Sequence, residues 1–106
     1  MTGDQSANYA AFINSMSNDE RITATHLSLL SALFVCWQIN GGVKPFQVCR
    51  RTLMSLSKIA STATYHKCIK QLHSYGYIRY QPSYHPVKGS LVYWPIIKYG
   101  ERIWGE

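Results

Sequence analysis

Between Arg21 and Gly100 the chain contains no aspartate and no glutamate. Ordinary usage, with about a quarter of residues charged and half of those acidic, would place roughly ten carboxylates in such a stretch. The same residues hold ten of the eleven Lys/Arg and all four histidines, so every ionised side chain in the middle of the protein is positive. That shortage removes the usual general acid/base pair and the acidic member of a catalytic triad, which argues against an enzyme. It also leaves a self-repelling surface that suits a partner bringing dense negative charge, and nucleic acid is such a partner.

Cysteine is scarce too. Cys36, Cys49 and Cys68 form neither an even set nor a Cys-x-x-Cys pair, which excludes a disulfide framework and fits a reducing compartment. The spacings of Cys49, His66, Cys68 and His73 do not follow the paired pattern of a structural zinc site, so no metal and no cofactor is expected. Cys49 beside Arg50 and Arg51 invites a lowered thiol pKa, against the commoner case of a partly buried, unperturbed thiol. No apolar run approaches the roughly twenty residues of a membrane span: Leu27 to Ile39 is interrupted by Ser28, Ser31 and Gln38. The start, Met1 to Gln5, lacks the basic end and apolar centre of a signal peptide. A cytoplasmic location, no membrane partner and no evident small-molecule substrate are the corresponding expectations.

What is present is enough for one core. With 106 residues, 46% of them hydrophobic and 15% charged, the chain is too apolar for disorder and too short for two domains. Residues 1–22 read as an N-terminal arm with Tyr9, Phe12, Ile13 and Met16 at helical spacing, a patch for docking on the domain or on a second copy. A helix is predicted from Thr25 to Asn40, capped by Thr23 or Thr25 and stopped by Gly41-Gly42, with Leu27, Leu30, Leu33, Phe34 and Trp37 inward. Pro45 and two valines make 43–48 a short extended piece. A second helix, Cys49 to Ser57, puts Leu53 and Leu56 inward and leaves Arg50 and Arg51 outside, either as a solvated helix start or against phosphate.

The third helix follows the short turn Lys58-Ile59-Ala60. Ser61 caps it and Gly76 ends it, and Tyr65, Cys68, Ile69 and Leu72 recur at i, i+3, i+4 and i+7. Ala63, His66, Lys67, Lys70 and Ser74 fall on the opposite side, with no Glu at i±4 to balance the lysines. Two strands, Tyr77 to Gln81 and Leu91 to Trp94, flank the Pro/Gly-containing loop 82–90 and read as a hairpin. The expected architecture is mainly α with a small β-hairpin, an α+β winged helix-turn-helix domain over 23–98, with a tail at 99–106.

The run Ser61-x-x-Thr64-Tyr65-x-Lys67-x-Ile69-x-x-Leu72-x-x-x-Gly76-Tyr77-Ile78-Arg79 resembles the helix-to-wing signature of bacterial winged-helix regulators of the GntR and MarR types. The chain is also similar to small winged-helix proteins of Bacteroidetes conjugative elements. Tyr65 departs from the usual valine, and its hydroxyl needs a partner if the ring packs inside. The resemblance implies that Ser61, Thr62, Thr64, His66 and Lys67 sit where such proteins touch DNA. No ligand-binding domain of the GntR kind fits in the remaining residues.

These readings converge on a sequence-specific double-stranded DNA-binding protein that regulates transcription, acting as a homodimer. Thr62, Thr64, His66 and Lys67 are the candidate base readers, and Arg50, Arg51, Ser61, Lys70, Arg79 and Lys88 the candidate backbone contacts. The apolar arm and the tail residues Ile97, Tyr99, Ile103 and Trp104 are the candidate dimer surfaces, with packing on their own subunit as the other possibility. Two functions from other classes stay open: an accessory module of a mobile-element or replication complex that binds nucleic acid non-specifically or holds a protein, and single-strand stacking through Tyr80, Tyr84 and Trp94.

Overall fold

A computed structural model describes residues 3–82, 89–99 and 101–104. Four helices, α1 (Gly3–Ser17), α2 (Ala24–Ile39), α3 (Arg50–Ser57) and α4 (Thr62–Ser74), are joined to five short strands. The strands are β1 (Phe46–Val48), β2 (Arg79–Gln81), β3 (Ser90–Tyr93), β4 (Ile96–Lys98) and β5 (Glu101–Ile103). The result is an α+β domain with two small antiparallel sheets.

The centre is α2. Its N-cap is Thr23, whose hydroxyl accepts from the His26 backbone N–H at 3.4 Å while the Thr23 N–H donates to His26 Nδ1 at 2.9 Å. This is a capping box with histidine where glutamate or glutamine is usual. Because α1, α3, α4 and β1 all pack on α2, burial is not confined to one stripe: Leu29, Ala32 and Cys36 join Leu30, Leu33, Phe34 and Trp37, and Leu27 is only half-buried. The helix ends where Gly41 and Gly42 take positive φ.

The N-terminal patch is used within its own chain. Phe12 and Met16 are buried in the common core, Tyr9 lies edge-on to Phe34 at 4.5 Å and donates or accepts a 2.9 Å hydrogen bond with Ser31. These contacts make α1 a layer of the domain, with Tyr9 and Ile13 half-buried at its border.

In α3, Leu53 is buried, but Leu56 is 44% exposed, contrary to expectation. The cause is the small residue Ser57, which sits at the crossing with α2: the Ser28 hydroxyl donates to the Ser57 carbonyl, and Ser57 Oγ is buried against the Leu53 carbonyl at 2.6 Å. That close approach turns the Leu53–Ser57 side inward and leaves Leu56 at the border. Lys58 then adopts φ +63° and closes the helix by donating to the Met54 carbonyl.

The extended piece before α3 belongs to a sheet. β1 pairs with β3 (Phe46 with Val92), β2 pairs with the other edge of β3 (Tyr80 with Val92), and the order is β1-β3-β2. The sheet therefore has a third strand beyond the anticipated hairpin. Gly89 enters β3 at φ +66°, where a Cβ would stand 2.6 Å from the Val48 carbonyl oxygen, so β1 and β3 approach only because this residue is glycine. The tail is a second hairpin, β4–β5, turning at Tyr99 with φ +53°.

The core joins these layers through aromatic rings. Trp94, immediately after β3, stacks on Phe34 at 4.0 Å and meets Phe46 at 4.9 Å and Trp37 at 5.1 Å. With 2% exposure it has no face for an unpaired base, which removes it from the single-strand stacking set.

Candidate nucleic-acid interface

α4 is held at three points, and these decide which of its side chains stay outside. Ser61 Oγ caps the start by accepting from the Thr64 N–H at 3.2 Å. The end is a Schellman motif: Gly76, at φ +83°, donates to the His73 carbonyl at 3.1 Å, and Tyr77 donates to the Leu72 carbonyl at 3.0 Å. Midway, Gln71 Oε1 meets His26 Nε2 at 2.7 Å, tying α4 to the capping box of α2. Since Nδ1 of His26 accepts from Thr23, its Nε2 carries the proton and donates to Gln71.

Tyr65, Cys68, Ile69 and Leu72 are buried as their spacing requires. Burial is the main reason the Tyr65 hydroxyl is pushed well above its ordinary pKa, with Tyr80 as its neighbouring hydroxyl. On the outer side Ala63, Lys67, Lys70 and Ser74 are exposed, and His66 is half-buried against the edge of Tyr65. Helical geometry puts Ala63, Lys67, Lys70 and Ser74 at the middle of that face, with Thr62 and Thr64 exposed on its flanks in the first turn. Of the four candidate base readers, Lys67 is the central one. Ala63 and Ser74 were not among them, although the same periodicity places both beside it.

Arg50 and Arg51 are exposed in the first turn of α3. Arg79 is exposed on β2, its guanidinium 4.2 Å from the centre of the Trp104 ring, which orients it while leaving its charge unneutralised. Lys88 and most of the loop 82–90, with Tyr84 and His85, lie outside the described residues. Lys58, overlooked in the sequence, sits with Ser61 and Thr64 on a hollow of about 440 Å³ between the starts of α2 and α4. Its positive φ at the C-cap was the missing information, because that conformation directs the chain from α3 into α4.

His73 is not a free surface group: its Nδ1 accepts from the Tyr80 N–H at 3.0 Å, pinning α4 to β2. Cys68 is buried and Cys49 exposed, and among the described residues no three His, Cys, Asp or Glu side chains gather as metal ligands. The Cys49 thiol pKa is lowered, but chiefly by the Thr52 hydroxyl 3.0 Å away and only weakly by Arg51, so the exposed position and the Thr52 contact correct the expectation of a partly buried, unperturbed thiol.

Among the described residues the one ion pair is Arg21–Asp19 at 2.8 Å, in the α1–α2 connection, and none involves Arg50, Arg51, Lys67, Lys70 or Arg79. No helix among the described residues is long and apolar enough to cross a membrane. The chain matches no protein-family model, no curated protein and no solved structure.

Proposed function

We propose that the chain is a winged helix-turn-helix protein that binds double-stranded DNA sequence-specifically and regulates transcription. In this reading α3, the Lys58 turn and α4 form the helix-turn-helix, α4 enters the major groove, and the loop between β2 and β3 follows the backbone or minor groove. The observation that carries it is the outer face of α4: two exposed lysines with no carboxylate against them, on a helix fixed at both ends and in the middle. The helix order and the β1-β3-β2 sheet support the same reading.

Lys67 would donate to guanine O6/N7, Ala63 and the methyls of Thr62 and Thr64 would meet thymine methyls, and His66 would reach a base edge from the border of the face. Arg50, Arg51, Lys58, Ser61, Lys70, Arg79 and Lys88 would hold phosphates, helped at Ser61 by the positive end of the α4 dipole. If about four of these candidates reach phosphate in each subunit, a homodimer on a palindromic site makes about eight such contacts, for a slope of log K against log salt near −7. With α1 committed to its own core, the surface for that dimer is the β4–β5 hairpin, where Ile96, Tyr99 and Ile103 are exposed.

Selection of bound duplexes from a random pool tests the proposal. The expected result is one enriched motif preferred over bulk DNA by about a thousandfold. Lys67→Ala should then cost about 1–3 kcal/mol on that motif and little on random DNA. A pool with no enriched motif would refute sequence reading, and equal losses on both duplexes would remove Lys67 as a base reader.

A further inference from the structure

Away from the α4 face, the first helix, the end of α2 and the β4 strand enclose a cavity of about 530 Å³, within the usual size of small-molecule sites. Its walls include the rings of Trp37 and Trp94, the apolar side chains of Ile96 and Ile97, and the buried amide of Asn8. Asn8 donates to the Pro95 carbonyl at 3.4 Å and accepts from the Ile97 N–H at 2.8 Å, so its amide serves mainly to fix the wall rather than to offer a free group.

The two indoles do offer one each. Trp37 and Trp94 are 7% and 2% exposed, and neither Nε1–H has a hydrogen-bond partner among the described residues. A buried donor left unpaired ordinarily destabilises a fold by about 1–3 kcal/mol, so two of them lining one cavity call for an acceptor. Both residues line the cavity and both carry an unpaired buried donor. Lys44 and Lys98 also line the cavity, and no carboxylate does among the described residues. The side-chain groups left to a ligand are thus flat apolar plates, two neutral donors and two cations.

We infer that this cavity binds a small carboxylate with a flat apolar body, the ring packed against the isoleucines and the edge of Trp37 and the carboxylate held by the two lysines and the indole N–H groups. None of these residues lies on α4, so the cavity is separate from the proposed DNA-contacting face, while Ile96, Ile97 and Lys98 belong to the β4–β5 hairpin proposed above as the dimer surface.

The three tryptophans of the chain provide the readout. The full-length ¹⁵N-labelled protein is titrated with 2-naphthoate and, separately, with the neutral isostere 2-naphthamide, while the indole N–H resonances are followed. Naphthoate should shift the Trp37 and Trp94 signals saturably and leave Trp104 unmoved, and the amide should bind about tenfold more weakly. Lys44→Gln and Lys98→Gln should each weaken naphthoate and leave the amide unchanged. Absence of saturable shifts of both signals at about 1 mM naphthoate would overturn the inference. Equal affinity for the two probes in the unaltered protein would overturn it as well, because the site would then be an apolar void without preference for an anion.

Discussion

His26 does two jobs with one ring: Nδ1 closes the capping box of α2 and Nε2 reaches Gln71 on α4. His26→Ala should therefore lower stability by about 1–3 kcal/mol in urea unfolding, the loss of a cap plus an unpaired Gln71 amide. A variant as stable as the parent would show that the ring only fills space. The usual capping signature asks for Glu or Gln three residues after Thr, so Thr23-x-x-His26 was legible as a cap only through Thr23. A second residue-scale tie is acid-sensitive. Arg21 donates to both Asp19 oxygens, and with help from the Tyr77 hydroxyl at 2.9 Å holds the Asp19 carboxyl well below the usual carboxylate range. A depressed folded-state pKa contributes stability above the unfolded value of about 4, and that contribution is lost as pH falls from there toward the folded pKa. The difference in denaturation midpoint between the parent and Asp19→Asn should be present at pH 7 and shrink with acidification below about pH 4. A difference independent of pH would assign the tie to hydrogen bonding alone.

At the scale of elements, α3 gives the sharpest contrast. Leu53→Ala should cost about 2–5 kcal/mol by thermal or urea unfolding, whereas Leu56→Ala should stay within about 0.5 kcal/mol. Similar losses at both positions would mean that the Ser57 crossing is misplaced. The reason Leu56 was misread is physical: an eight-residue helix holds too few apolar positions to define its inward direction, and the close contact of Ser28 with Ser57 does so instead. By contrast α4 was legible nearly residue for residue. Its cap, its terminating glycine and the Tyr65-Cys68-Ile69-Leu72 stripe are local signals, and all agree. The ends of α2 were legible for the same reason, within one residue. β1 was legible only as an extended piece within 43–48, and neither its pairing with β3 nor the β4–β5 hairpin was, because three-residue strands carry almost no period and exist through their pairing partners.

Over the whole molecule, charge and apolar surface are sorted differently. Asp19 and Glu101 sit in the α1–α2 connection and in β5, near the ends of the chain, and beyond Arg21, which pairs with Asp19, the middle of the sequence carries positive charge and no carboxylate of its own. The hydrophobic effect explains why that middle nevertheless folds: one continuous core runs from Phe12 through Phe34 and Trp94 to Leu72. The positive face of α4 contributes nothing to that core, and in isolation it raises the energy of the compact state. That cost is the physical ground on which a polyanionic partner is proposed for it. The candidate site was legible from the sequence as a face, because helical period and missing carboxylates are sequence properties. Its neighbour Lys58 was less so, since its place depends on the αL turn that leads from α3 into α4.

Fluorescence anisotropy of a labelled duplex, titrated with the parent and with the double variant Lys67→Gln/Lys70→Gln at about 50 and 200 mM salt, tests this most directly. The parent should bind and lose affinity by about 10³-fold or more across that range, as six or more phosphate contacts require, and the double variant should bind far more weakly at both salts with an unchanged melting temperature. Equal binding by the two proteins, or no complex with any duplex at the lower salt, would contradict the account.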